Sequence, residues 1–238
     1  IYRFVKEHKL GAHIRDGVMA DACSKTACTR TAAEVFTSPV ATEAGAVAGT
    51  LRILEGEEPA DVIYRFVKAH GLAEGYRTFL MNHACNQVTC TRLEAEVYSQ
   101  AITTDGVAVV GTVRILEGEE PADVVYAFCK KHGLLETNVR NGVMVDACGK
   151  IPCARAEATV FASPVASETG AALGVLSILE GQEPADVVYA FCRKHSLGDH
   201  YREGLMKAAC AQTACTRRDA VVYTSPVAAS ETGQLVGT

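Results

Sequence analysis

The chain has 238 residues, of which 23 are basic and 28 acidic, so its formal net charge is −5 with histidine neutral. A chain without a basic excess lacks the positive surface that neutralises phosphates, so we expect no nucleic-acid partner. No apolar run approaches the roughly 20 residues needed to cross a bilayer, and we therefore expect no membrane span in this segment.

An internal repeat organises the sequence. The stretch ILEGEEPADVIYRFVKAHGL at Ile53–Leu72 recurs with few changes at Ile115–Leu134 and Ile178–Leu197, and its second half opens the chain at Ile1. Self-similarity at a fixed period indicates a tandem array of small modules. A module of about 60 residues buries little apolar surface, so it depends on crosslinks or on neighbouring modules.

Each module is predicted to begin with a β-hairpin and a helix. Runs rich in Val, Ile, Thr and Tyr predict the two strands. The turns between the strands end in glycine, and Asp105-Gly106 is the strongest turn signal because both residues tolerate positive φ. Proline begins the first helix, as at Pro59, and a glycine such as Gly71 or Gly133 ends it.

A second helix follows in each module. In Tyr76–Cys85 the apolar residues, Phe79 among them, recur with a period of 3.6 and predict one buried face. No Gly/Ser-rich or Pro-rich linker separates the modules, so we expect them to pack on one another. The predicted fold class is therefore α+β, a tandem array of four modules of about 62 residues, each a hairpin followed by two short helices with one disulfide.

The repeat also sets the predicted domain boundaries. The chain begins and ends inside a module, so we expect it to be a segment of a longer array. The predicted domains are a partial module of helices only at 1–32, complete modules at 33–94, 95–157 and 158–219, and a partial hairpin of a next module at 220–238.

Eight of the ten cysteines form one C-x4-C pair in each module. In an unbroken helix these residues would have Cα atoms about 8.6 Å apart, whereas a disulfide needs less than about 7 Å, so the second helix must end between them. Regular pairing in small modules favours structural disulfides and a secreted, extracellular or oxidising lumenal location. The predicted pairs are Cys23 with Cys28, Cys85 with Cys90, Cys148 with Cys153 and Cys210 with Cys215.

The remaining cysteines, Cys129 and Cys192, occupy the first-helix position that holds Val5 and Val67 in the other copies. A cysteine in place of a core valine is predicted to be a small buried residue with a free thiol. The alternative is a covalent link between these two modules, which requires that the two positions face each other.

One arginine follows the second cysteine by two residues in every module. Its guanidinium can bind a carboxylate of the same or the next module. These residues are therefore candidate inter-module contacts: Arg30, Arg92, Arg155 and Arg217.

The recurring histidines end the first helix of each module. We interpret them as favoured by the helix dipole and packed against the hairpin, with a catalytic base as the alternative. A zinc site would need a donor beyond two cysteines and one histidine, and calcium at the acidic turn Glu55–Asp61 would need about six to eight oxygens. We predict no catalytic, metal-binding or cofactor-binding residue; the four histidines are His8, His70, His132 and His195.

No serine-hydrolase, metalloprotease, phosphate-loop or dinucleotide motif occurs in the sequence. We therefore hypothesise a non-enzymatic structural or scaffolding repeat protein that builds or spaces an extracellular or lumenal assembly, such as a filament. Its partners would be proteins, including further modules or other copies of the array. The alternative is a secreted multi-module binding or inhibitor protein that uses the variable hairpin turn, and a thiol-disulfide oxidoreductase is the third hypothesis.

Overall fold

A computed structural model describes residues 1–104, 108–135, 137–224, 227–228 and 235–237. Its helices are α1 Tyr2–Glu7, α2 Ala12–Lys25, α3 Pro59–Ala69, α4 Glu74–Cys85, α5 Pro121–His132, α6 Asn138–Lys150, α7 Pro184–Lys194 and α8 Asp199–Cys210. Its strands are β1 Glu34–Ala41, β2 Val47–Leu54, β3 Glu96–Thr104, β4 Ala108–Leu116, β5 Thr159–Ala166, β6 Ala172–Leu179, β7 Val227–Ala228 and β8 Leu235–Gly237. The α+β fold class, with hairpin, helix, helix and one disulfide in each module, is confirmed. The module boundaries stay a prediction from the repeat.

Each hairpin forms its own two-stranded antiparallel sheet within the described residues. In β1–β2, Phe36 lies opposite Ile53, and the ladder has an irregularity beside the turn, between Val40 and Ala41. The predicted glycine turn is present there, since Gly45 has φ +77°. The turn at Asp105-Gly106 lies outside the described residues.

The first helix of each complete module begins at the predicted proline, where the missing N–H costs no intrahelical bond. The predicted glycine ends are also present. Gly71 and Gly133 have φ of +59° and +67°, and the N–H of Leu72 donates to the carbonyl of Val67 at 3.0 Å. At the end of α7 the same left-handed conformation is taken by Ser196, with φ +53°.

We expect Ser196→Gly to raise the free energy of unfolding by about 0.5–1 kcal/mol, because a left-handed conformation costs an L-residue more than it costs glycine. The reverse substitution at the equivalent position, Gly133→Ser, should lower the free energy of unfolding by a similar amount. Urea unfolding followed by circular dichroism measures both variants. A loss of stability in Ser196→Gly would contradict the conformational argument.

The described residues divide into two compact units, 1–99 with 114–118 and 100–113 with 119–238. In the first unit the inner face of the hairpin β1–β2 and one side of α3 and α4 form an apolar core of Phe36, Val40, Leu51, Ile53, Ala60, Ile63, Val67, Leu80, Met81 and Ala84. In the second unit the equivalent positions form a core of Phe161, Val165, Leu176, Ile178, Ala185, Val188, Cys192, Met206 and Ala209. The two units thus bury the same positions of the repeat.

Phe79 departs from the expected helix face. The apolar spacing of α4 predicted it on the buried side, but its side chain is 64% exposed. The other modules have glycine at this position, namely Gly17, Gly142 and Gly204. The core of the module is therefore complete without a side chain there.

Candidate functional site at the module junctions

The four C-x4-C pairs are joined at bonding distance, with S–S separations of 2.03 to 2.11 Å and Cα–Cα separations of 5.3 to 5.4 Å. Each second helix ends before the second cysteine; α4, for example, ends at Cys85 itself. The bend brings the two Cα atoms within the range that a disulfide requires. Four such bonds in one chain indicate an oxidising environment.

Cys129 and Cys192 are free and buried. Burial raises the pKa of both thiols, and the charges of Arg140 and Arg202 oppose this only in part. A redox-active cysteine needs a lowered pKa, because the thiolate is the nucleophile. The environment of these two side chains therefore does not fit a redox catalyst.

Three of the four arginines that follow the second cysteine bind an aspartate in the first turn of the first helix. Arg92 Nη2 lies 2.5 Å from Asp61 Oδ2, and Arg155 makes the equivalent short ion pair with Asp123. Arg217 pairs with Asp186 in the same way, whereas Arg30 pairs with Glu34 at 3.3 Å. Within the boundaries set by the repeat, each arginine–aspartate pair lies inside one module, whereas Arg30–Glu34 joins the partial module 1–32 to the module 33–94.

The same aspartates also hold the start of the next hairpin. Asp61 Oδ1 accepts a hydrogen bond from the N–H of Glu96 at 2.7 Å, and Asp123 Oδ1 accepts one from Thr159 at 2.6 Å. Burial alone would raise the pKa of Asp61. The hydrogen bond and charge of Arg92, with the backbone N–H of Glu96, outweigh it and lower that pKa below its ordinary value.

The glutamate that precedes each helical proline binds the segment after the second cysteine. Glu58 accepts hydrogen bonds from the N–H of Thr91 at 3.2 and 3.3 Å, and Glu120 accepts two from the N–H of Ala154 at 3.2 Å. In the acidic turn Glu55–Asp61, which was considered for calcium, the Glu58 carboxylate thus binds a backbone N–H group. In the part of the chain that the structure describes, no group of three or more His, Cys, Asp or Glu side chains could hold a metal ion.

Another arginine, missed by sequence reasoning, crosses the module boundaries. In each module this arginine lies on the second helix, eight residues before the first cysteine. We call the four residues the junction arginines: Arg15, Arg77, Arg140 and Arg202. Three of them form an ion pair with the glutamate that follows the next hairpin. The nitrogen–oxygen distances are 2.6 Å for Arg15–Glu55, 2.6 Å for Arg77–Glu117 and 2.5 Å for Arg140–Glu180.

Arg140 shows how one side chain joins two modules. Its Nη1 and Nη2 donate to the two carboxylate oxygens of Glu180 at 3.1 and 2.5 Å, and Nη2 also donates to the carbonyl of Ala156 at 3.5 Å. Its guanidinium carbon lies 5.9 Å from the ring centroid of Tyr126, in its own module. Arg77 donates to the carbonyl of Leu93 at 2.8 Å in the equivalent place.

Each recurring histidine packs on the phenylalanine one turn before it. The ring centroids are 4.4 to 4.5 Å apart in all four copies. A Cβ placed on Gly49 would lie 3.2 Å from the His70 ring and 3.4 Å from Phe66, so the ring pair lies against the second strand of the hairpin. A Cβ on Gly111 would likewise lie 3.1 Å from Phe128 and 3.6 Å from His132, so His70 and His132 pack on the hairpin as interpreted from the sequence.

Comparison with protein-family models, with curated proteins and with solved structures finds no match. No helix among the described residues is both long and apolar enough to span a membrane. The class of protein is an α+β tandem repeat with one disulfide in each module. The function proposed for this chain therefore rests on its own residues.

Proposed function

We propose that the chain is part of a non-enzymatic structural array that builds or spaces an extracellular or lumenal assembly. The observation that carries this proposal is the ion pair between a junction arginine and the glutamate of the following module, repeated at three successive junctions. A repeated contact of one chemistry gives every junction the same preferred geometry, as in other repeat arrays.

The exposure of the pair supports a positional role. The side chains of Arg140 and Glu180 are 19% and 31% exposed, and those of Arg77 and Glu117 are 17% and 30% exposed. A partly buried ion pair adds little net stability, yet removing one partner is costly, because the other charge stays in a site with little water. Such a pair favours one orientation of the two groups. Modules joined by flexible linkers would not need an ion pair that fixes their relative orientation.

Small-angle X-ray scattering of the whole chain tests the proposal with the double variant Arg77→Ala/Arg140→Ala. We expect the native chain to scatter as one particle of fixed shape, and the variant to show a broader distribution of interatomic distances with unchanged circular dichroism. The charge-matched control is Arg65→Ala/Arg114→Ala, whose arginines are 64% and 68% exposed.

Two outcomes would contradict the array. In one, the native chain already scatters as flexibly connected modules. In the other, the junction variant scatters like the native chain. The first result would mean that the modules move independently, and the second that the arginine–glutamate pairs do not fix the junction geometry.

A multi-module binding protein is the second candidate, and one observation favours it. Phe79 is 64% exposed and its ring lies parallel to that of His83, at an interplanar angle of 2° and a centroid distance of 6.2 Å. Exposed aromatic side chains are typical of binding surfaces, and the other modules have glycine in place of Phe79. Independent modules in the scattering experiment would favour this candidate.

A further inference from the structure

All four methionines of the chain occupy one position of the repeat, one helical turn after the junction arginine. They differ in exposure. Met81 and Met206 belong to the buried cores, at 5% and 9% exposed, whereas Met19 and Met144 are only partly buried. The same residue type at the same place is therefore protected in two modules and accessible in two others.

Met144 lines a groove with a volume of about 430 Å³, together with Arg140, Ala156 and Glu180. The groove opens to solvent, and its neighbouring residue Val145 is 76% exposed. A water molecule takes up about 30 Å³. The groove is therefore large enough to hold an added oxygen atom.

Arg140 has one hydrogen-bond donor that the junction does not use. Nη1 and Nη2 bind Glu180, but the buried Nε has no acceptor among the described residues. Residues four apart on a helix are neighbours, and long side chains there tend to lean toward the preceding turn. Met144 follows Arg140 by four residues, and both line the groove. A thioether sulfur is only a weak acceptor, so methionine in its reduced form does not satisfy such a donor.

We propose that Met144 is a site of oxidation by peroxide, and that the resulting sulfoxide oxygen accepts a hydrogen bond from Nε of Arg140. The sulfur lone pair attacks one oxygen of hydrogen peroxide, the S–O bond forms and the O–O bond breaks. The sulfur loses two electrons and the other oxygen leaves as water. A sulfoxide is a strong acceptor, so the modification completes the hydrogen bonding of Arg140 and strengthens the junction. This inference rests on the junction geometry and does not require the array function.

The accessibility of Met144 is tested on the folded chain treated with hydrogen peroxide, with the four methionines followed by peptide mass mapping. Oxidation follows exposure, so we expect Met144 to react at least about tenfold faster than Met81, its equivalent in the preceding module. Equal rates, or a slower reaction at Met144, would overturn the site.

The hydrogen bond is tested in a chain that carries Met19→Leu, Met81→Leu and Met206→Leu, so that only Met144 can be oxidised. Leucine is close to methionine in volume, and such changes in cores are usually tolerated. The urea midpoint is measured before and after oxidation in this chain and in the same chain with Arg140→Lys, which keeps the charge and lacks Nε.

We expect oxidation to raise the midpoint in the chain that keeps Arg140 and not in the chain that carries Arg140→Lys. The same shift in both chains, whatever its direction, would show that the sulfoxide does not bind Nε. A larger rise of the urea midpoint in the chain with Arg140→Lys would show the same. The rate comparison in the native chain stands independently, since it does not depend on the leucine substitutions.

Discussion

Reduction of the native chain with dithiothreitol is expected to lower its free energy of unfolding by about 2 kcal/mol for each disulfide broken. Two cysteines five residues apart close a short loop, and the chain-entropy model assigns a loop of that length about this stabilisation. Four bonds together amount to about 8 kcal/mol, comparable with the whole stability of a small domain. Urea unfolding with and without the reductant, followed by circular dichroism, measures the loss.

A matched control separates the disulfides from other effects of changing a cysteine. Cys129→Val installs the residue that Val67 provides at the same position, and should leave the unfolding midpoint close to that of the native chain. Cys148→Ser/Cys153→Ser should lose about 2 kcal/mol. A fully reduced chain that keeps its native midpoint would show that the disulfides contribute no stability.

Acid is expected to destabilise the chain through the carboxylates of the acidic turns. The pKa values of Asp61 and Asp123 are lowered in the folded state, where hydrogen bonds from Arg92 and Arg155 and from backbone N–H groups outweigh the opposing effect of burial. A lowered folded-state pKa contributes stability above the unfolded pKa of about 3.9. That stability is lost as the pH falls through the folded-state value.

Asp123→Asn should flatten this acid response and cost about 1–2 kcal/mol near pH 7, since hydrogen bonds to a charged group are lost from a side chain that is 39% exposed. The control is Asp146→Asn, equally 39% exposed but paired with Lys150 within one helix. Urea midpoints between about pH 2 and pH 7 compare the two variants. An Asp123→Asn chain with the native pH profile would contradict the assignment.

The local features of the fold are readable from sequence because each has a local cause. Within a helix, Pro59 is tolerated only in the first turn, and Gly133 tolerates the left-handed conformation that ends one. The C-x4-C spacing requires a helix to end between the cysteines. These residues need no knowledge of what packs against them. The hairpin, helix, helix order follows from such signals alone.

The inter-module contacts are not readable in that way. Arg92 and Arg77 recur with equal regularity, so periodicity cannot tell which of them faces the next module. The packing of α4 decides, and it turns Arg77 toward Glu117 while it leaves Phe79 in solvent. The constant spacing of eight residues between this arginine and the first cysteine could have made it a candidate, but could not have shown which partner it binds.

The shared chemistry of the junctions also bears on how such a gene can change length. Unequal recombination that removed residues 63–124 would join Val62 to Val125 inside one helix, and would leave the pairs Arg15–Glu55 and Arg140–Glu180 on either side of the joined segment. No compensating substitution would be needed at the new boundary. We therefore expect the protein to tolerate the gain or loss of whole modules, and natural variants to differ by multiples of about 62 residues.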